Sequence, residues 1–338
     1  MKRWWHRWLR TPGELRGLGV VGINMRNAGY LLPNNPRRLY ALVDNKLTTK
    51  RLAAQRGIAT AANFGLVETS RDVARLHQLI GARDSFVMKP CRGSGGKGVL
   101  VIAGRAGDRF FKPSGKEISM EELRRHASNI LAGLYSLGGR RDQGLLECLI
   151  TPTKVLMDIS FQGSPDIRIV MLHGYPVMAM LRAATRQSDG RANLHQGAIG
   201  VGIDLGSGMT VRAIHHGRSI NQHPDLGVPL VGLQVPFWDE LLAIAAECYE
   251  MTGLGYLGVD LMIDDLTGPV MIEINARPGL AIQMANGVGL LKRLRPVAEH
   301  VRNHPGETKA ARIAFVQKRF GGASAAEGGS PRSPARMS

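Results

Sequence analysis

Little in this chain suits a disulfide framework or a zinc site. Its cysteines, Cys91, Cys148 and Cys248, lie far apart, and no CxxC or Cys/His ligand spacing occurs. Aromatic residues make up only 5% of the 338, so aliphatic side chains and Met carry the packing. No run of apolar residues is long enough to cross a bilayer, and the opening "MKRWWHRWLR" lacks the apolar core of a secretory signal. A reducing, cytoplasmic setting is expected. Familiar nucleotide motifs are missing too. In "KPCRGSGGKGVLVI", Cys91 stands where a Walker A loop needs glycine, and Gly98 where it needs Ser or Thr. Gly93, Gly95 and Gly98 match GxGxxG, but strand-like aliphatics follow instead of a helix. With no HRD or DFG tripeptide, a protein kinase is excluded. Acidic residues are scarce, 27 against 44 Lys and Arg, for a formal charge of +17. That balance attracts anions such as nucleotides, acidic peptides or anionic lipid, beyond its solubilising role. Trp4, Trp5 and Trp8 among the basic residues at the start fit peripheral membrane contact. No DNA- or RNA-binding motif occurs, so nucleic acid is not an expected partner.

What is present reads as α+β. A helix is expected from Asp44 to Arg56, closed by Gly57. Ser70 opens another, with Val73, Leu76 and Ile80 on one stripe. Ser119 and Glu122 form a capping box ahead of Leu123 and Ile130, and Pro236 starts a helix running to Glu250 with Trp238, Leu241, Leu242 and Ala245 inward. "SFVMKP" and "GVLVI" read as strands around a glycine loop. "GLLECLI" reads as a strand in which apolar residues surround Glu147, and "DIRIVMLHGYPVMAMLR" as a hairpin turning at His173-Gly174. Several hairpins among helices argue against one doubly wound parallel sheet. The tail from Gly321 is Gly/Ala/Ser/Pro-rich and is expected to be disordered.

The stretch "GYLGVDLMIDDLTGPVMIEINARPG" poses a charge problem. Two apolar runs flank Asp265-Leu266-Thr267-Gly268, which predicts a hairpin with Asp264 facing Pro269 and Asp260 facing Glu273. Asn275 shares the face of Glu273. Like charges directly opposite destabilise a sheet, so this pair needs a cation, a shared proton or solvent. Hard oxygen ligands of this kind suit Mg²⁺; an edge hairpin whose polar face meets water would also account for them. Lys89 at a strand end and Lys97 within the glycine loop could neutralise phosphates, which the loop's N–H groups are free to approach. Arg168, Arg182 and Arg277 could make forked contacts to phosphate or carboxylate, or plain salt bridges such as Asp166 with Arg168.

Taken in order, these segments resemble the ATP-grasp superfamily. "LVDNKLTTKRLAAQRGI" resembles the entry to that fold, "FVMKPCRGSGGKGV" its phosphate-covering strand pair, "LLECLI" its adenine hinge and "VDLMID…VMIEINARPG" its metal-binding end. "DIRIVMLHGYPVMAMLR" followed by "SDGRANLHQGAIG" is most similar to the RimK-like branch, the α-L-glutamate-ligase-like or sugar-transfer-associated proteins. The resemblance implies two α+β subdomains clasping ATP between antiparallel sheets. It places a lead-in over 1–43 and the ATP-grasp domain over 44–320, with a nucleotide-covering part at about 84–150 and a metal- and substrate-binding part over 151–300. A tail over 321–338 follows. It implies nucleotide contacts by Lys46, Lys89, Gly95, Gly96, Lys97, Glu147 and Leu149. Asp260, Glu273 and Asn275 would hold Mg²⁺, or Mn²⁺ in its place. Arg168, Arg182 and Arg277 would act catalytically, and Asn193 and His195 would line the substrate loop. The implied chemistry is ligation of a carboxylate, such as an amino acid's, to an amine through an acyl phosphate. The alternatives are a non-catalytic ATP-binding module of an envelope or sugar-transfer pathway, and a basic membrane-surface or nucleic-acid protein. A homo-oligomer is compatible with all of these.

Overall fold

Two hydrophobic cores divide the chain, one under each of two antiparallel sheets. The computed structural model describes residues 11–93 and 95–322; Trp4, Trp5, Trp8 and the tail beyond Gly322 lie outside the described residues. The smaller sheet has β1 (Asn63–Val67), β2 (Phe86–Pro90), β3 (Leu100–Ile102) and, after a small three-stranded sheet of β4 (Gly104–Ala106), β5 (Arg109–Phe111) and β6 (Glu117–Ile118), β7 (Gly144–Glu147). Its order is β1-β7-β2-β3. Helix Met120–Leu131 covers it, begun by the expected Ser119/Glu122 capping box and burying Leu123, Ala127 and Ile130. The core beneath gathers Val67, Val73, Leu76, Ile80, Phe86, Phe110 and Leu146. This unit therefore reaches further back than residue 84, because β1 pairs with β7.

The larger sheet holds β8 (Asp166–Leu172), β9 (Tyr175–Ala183), β10 (Ile199–Ile203), β11 (Thr210–His215), β12 (Arg218–Ile220), β13 (Tyr256–Asp264) and β14 (Gly268–Asn275). Its order is β12-β11-β10-β9-β8-β13-β14. The β8–β9 hairpin turns at His173-Gly174 as expected. Both residues have positive φ, 48° and 80°, the two-residue turn whose twist matches the strands. Helix Trp238–Thr252 packs Trp238, Leu241, Leu242 and Ala245 into the core and stops at Gly253, φ 65°. Helix Lys46–Gln55 is capped by Asn45, whose side chain accepts from the N–H of Leu47 and Thr48.

The lead-in is built into this larger unit. Val21, Leu31 and Val43 join its core. The buried Asn35 side chain donates to the carbonyls of Tyr256 (2.6 Å) and Ala276 (3.1 Å) and accepts from the Tyr256 N–H. The stretch after Ser70 is two short helices, Ser70–Ala74 and Leu76–Ile80, and Thr69 is the cap. Among the described residues no helix is long and apolar enough to cross a membrane.

Candidate functional site

The β13–β14 hairpin pairs Asp260 with Glu273, as the sequence predicts, by a different route. Asp264 faces Gly268, not Pro269, so the loop is one residue shorter than expected. Ile272 is bulged between Asp260–Glu273 and Leu261–Met271. The bulge inserts one residue and cancels the turn's shift. The turn is tight because Asp264 Oδ1 accepts from the N–H of Leu266 and Thr267 and from the Thr267 hydroxyl.

Asp260 and Glu273 are each given a protein cation. Arg168 lies across β8 in register with Asp260, and Asp166 lies across from Arg182 on β9. Arg168 grips Asp260 through Nε (2.7 Å) and Nη2 (2.5 Å). Arg182 grips Asp166 through Nε and Nη2 at 2.5 Å each and reaches Asp260 Oδ2 at 3.0 Å. Asn275 Nδ2 adds a donor to Oδ2 at 3.2 Å. The partners thus lie on neighbouring strands; the sequence-level pairing of Asp166 with Arg168 is replaced by this checkerboard. Burial alone would raise the Asp260 carboxyl, but Arg168 and Arg182 outweigh it and hold it at about 2. Asp166 moves the other way: burial raises it and Asp260 pushes it up, against the pull of Arg182 and, more weakly, Arg168. Each arginine commits its Nε/Nη2 edge to carboxylate, which leaves Nη1 for an incoming oxyanion.

Three lysines stand between the sheets. Lys46 Nζ, at the start of its helix, donates to the Gly93 carbonyl (2.7 Å) and to Glu273 Oε1 (3.2 Å). Lys50 and Lys89 both reach the buried Glu147, Lys89 at 2.7 Å. Lys50 also donates to the Ala61 carbonyl (2.6 Å) and Asn63 Oδ1 (2.7 Å). Lys50 is not among the residues that the sequence motifs single out. Its signal is the four-residue spacing from Lys46, which puts both ammoniums on one helix face. Burial lowers the Lys50 ammonium to about 8, with Glu147 opposing and Lys89 reinforcing. Between the helix and β14, beside Lys46, Lys50 and Glu273, the enclosed space is only about 10 Å³, room for roughly one water.

The glycine loop between β2 and β3 is fixed at its base and open at its tip. A Cβ on Gly93 would lie 2.3 Å from Pro90, and one on Gly98 (φ 75°) 2.5 Å from the Tyr135 ring, whereas Gly95 and Gly96 face open space with φ of 63° and 74°. Asp142 clamps the base by accepting from the Arg92 N–H and Ser136 Oγ. Lys97 is exposed on this tip. Leu149 follows the end of β7, half-buried. Asn193 accepts from the His195 N–H, leaving the exposed His195 held by its backbone. Leu194 between them packs 2.8 Å from where a Gly200 Cβ would sit, and Gly200 pairs with Arg182. That loop therefore folds back beside the arginines. Arg277 does not join them. It is exposed and lies over the Tyr40 ring, 4.7 Å from its centroid.

The donor set fits a hard cation. Glu273 is only partly buried, its side chain 25% exposed. Asn275 turns its nitrogen to Asp260, so its carbonyl oxygen remains for a ligand. Asp260 already accepts the four N–H contacts described above and contributes charge more than a free coordination position. One or two protein ligands plus phosphates and water is the usual Mg²⁺ arrangement.

Residues 25–299 match the family described as sugar-transfer associated ATP-grasp. A probable alpha-L-glutamate ligase of Maridesulfovibrio salexigens is 25% identical over 266 residues, covering 78% of this chain and 66% of that protein. One of Thioalkalivibrio sulfidiphilus is 29% identical over 149 residues, 44% of this chain and 38% of that protein. The chain thus spans less than two thirds of the length of either. Among solved structures, the ATP-grasp ligase PsnB complexed with a minimal precursor is 14% identical with a TM-score of 0.45, over 79% of this chain and 63% of that one.

Proposed function

From the premise that the chain belongs to the sugar-transfer-associated ATP-grasp family, we propose that it is an ATP- and Mg²⁺-dependent ligase joining a carboxylate to an amine through an acyl phosphate. An amino acid such as glutamate is the proposed carboxylate or amine partner, added to a small or peptide acceptor. The observation that carries this reading is Lys46. One ammonium touches both the glycine loop and Glu273, so the phosphate-covering loop and the metal-binding end share one cleft.

The roles follow from charge and position. Lys46, Lys50, Lys89 and Lys97 neutralise the triphosphate, and the open N–H groups at Gly95 and Gly96 close over it. Glu273 and Asn275 would hold the metal ion, with Asp260 behind them, and Lys46, now on Glu273, would turn to phosphate. When bound, Mg²⁺ supplies neutralisation of the phosphate oxygens. The strand end at Glu147 and Leu149 faces the base, with the Glu147 carboxylate orienting Lys50 and Lys89. Arg168 and Arg182, aimed by Asp260 and Asp166, present Nη1 to the transferred phosphoryl and acyl-phosphate oxygens. Arg277, freed from Tyr40, is a mobile third cation, and Asn193 and His195 line the acceptor side. The carboxylate oxygen attacks the γ-phosphorus and ADP leaves; the amine then attacks the acyl carbon and phosphate leaves. The protein positions and neutralises, and needs no nucleophilic side chain.

Purified protein with ATP, Mg²⁺ and pooled amino acids should release ADP and phosphate, with glutamate tested singly. Absence of both nucleotide binding and turnover across the pools rejects the proposal. Binding without turnover points instead to a non-catalytic ATP-binding module.

A further inference from the structure

At the opposite end of the β8–β9 hairpin from the arginines, three metal-ligating side chains converge without a role in the proposed ligation. His300 lies in the last turn of helix Leu291–Asn303, His304 caps it, and Glu307 precedes helix Lys309–Phe320. Their ligand atoms all lie within 4.8 Å of one another, the one such His/Cys/Asp/Glu group among the described residues. Tyr175 opens β9, so the cluster is about 23 Å along the strand from Arg182 at roughly 3.3 Å per residue.

His300 and Glu307 already face each other, while the His304 ring stacks on that of His300, 4.1 Å between centroids. His304 Nδ1 lies 3.2 Å from the His300 carbonyl. A carbonyl only accepts, so Nδ1 carries the proton and the Nε2 lone pair is left for a cation. Metal-bound histidines are commonly fixed by a backbone carbonyl in this way. His300 Nε2 points at Glu307, 3.2 Å from both carboxylate oxygens; a metal ion would take the place of the proton they share. Glu307 is steadied by the Tyr175 hydroxyl, which donates to Oε2 at 2.7 Å. The His300 ring is boxed by Phe315, stacked at 3.7 Å between centroids, and by Tyr175 edge-on at 5.8 Å. An apolar shell of this kind limits solvent access to the ligand set. His304 is exposed, so its ring can swing the short distance from the present spread to the ~3.4 Å separation of tetrahedral ligands.

We infer that His300, His304 and Glu307 form a binding site for a borderline transition-metal dication of the Zn²⁺ class, with water in the fourth position. Two imidazoles and one carboxylate favour such an ion over Mg²⁺, which prefers oxygen donors. The ion would tie the helix ending at His304 to the one beginning at Lys309 and, through Tyr175, to the edge of the β8–β9 turn. The inference does not depend on the proposed ligase activity.

The test uses the full chain without a histidine tag, stripped with chelator and titrated with ZnCl₂ and CoCl₂ in excess Mg²⁺. One Zn²⁺ per chain is expected, with visible absorption bands for Co²⁺ and a rise in melting temperature. His304→Ala and Glu307→Gln should each weaken binding by more than about 100-fold, since loss of an outer-shell partner alone costs roughly 10- to 100-fold. His304→Ala alters an exposed ring and should leave the fold and any Mg²⁺-dependent ATP turnover unchanged. Failure of the wild-type chain to take up Zn²⁺ at micromolar concentration overturns the inference. So does a correctly folded His304→Ala variant that binds as tightly as wild type.

Discussion

Asp260 survives ionised at 4% exposure because Arg168, Arg182 and Asn275 all donate to it. Removing one member of such a buried set leaves the others uncompensated. Asp260→Ala strands two guanidiniums and should destabilise the chain by about 3–5 kcal/mol, read as a lower denaturation midpoint. Glu273 has a different standing. It is partly exposed and holds a single lysine, so Glu273→Ala should leave the melting temperature nearly unchanged while abolishing metal-dependent ATP turnover. Undiminished turnover would remove Glu273 from the metal set. Lys50 makes a prediction in pH. Its folded value of about 8 lies below the unfolded 10.5. Between the two, the unfolded chain holds a proton that the folded one lacks, so this group makes stability rise with pH across that window, by up to roughly 1.4 kcal/mol per unit. Denaturation at pH 7.5 and 9.5 should show that gain in wild type and not in Lys50→Met. Nucleotide affinity should fall over the same range as the ammonium discharges.

At the level of elements, the glycine loop joins local chemistry to a ligand. Gly98 has positive φ and sits against Tyr135, whereas Gly96 has positive φ and open space. Gly98→Ala meets both a backbone penalty and a ring; Gly96→Ala meets only the first, about 1–2 kcal/mol. Nucleotide affinity should therefore drop more for Gly98→Ala, with circular dichroism unchanged for both. Equal losses would show that the Tyr135 contact does not set the loop. The charged hairpin shows what pattern reading can and cannot reach. Period-two alternation put Asp260 opposite Glu273, and that pairing is observed. The alternation could not show that a three-residue loop and a bulge at Ile272 produce it, because two one-residue errors of opposite sign leave the same pair aligned.

Across the whole molecule, the two cores are joined by polar contacts as well as chain. The Lys46 bridge from Gly93 to Glu273 and the Lys50–Glu147–Lys89 cluster both lie between the sheets. A nucleotide seated there binds the folded arrangement alone. ATP with Mg²⁺ at a hundred times its dissociation constant should then stabilise the chain by about 2.7 kcal/mol, seen as a rise in melting temperature that Glu273→Ala diminishes. No shift with nucleotide would place ATP elsewhere or nowhere.

The identities of strands, caps and turns were written locally. Ser119 with Glu122, His173-Gly174 and Gly253 act through their nearest neighbours, so the sequence alone determined them. The ordered run of motifs likewise sufficed for the α+β ATP-grasp fold. Partnership between distant charges was decided only in three dimensions. Asp166 takes Arg182 and Asp260 takes Arg168 because strand order brings β9, β8, β13 and β14 side by side. Lys50 finds Glu147 because a helix of one subdomain faces a strand of the other. Arg277 is turned to Tyr40 for the same reason. Residue type and spacing state which charges a chain carries; which of them share a low-dielectric neighbourhood depends on packing between segments far apart in sequence.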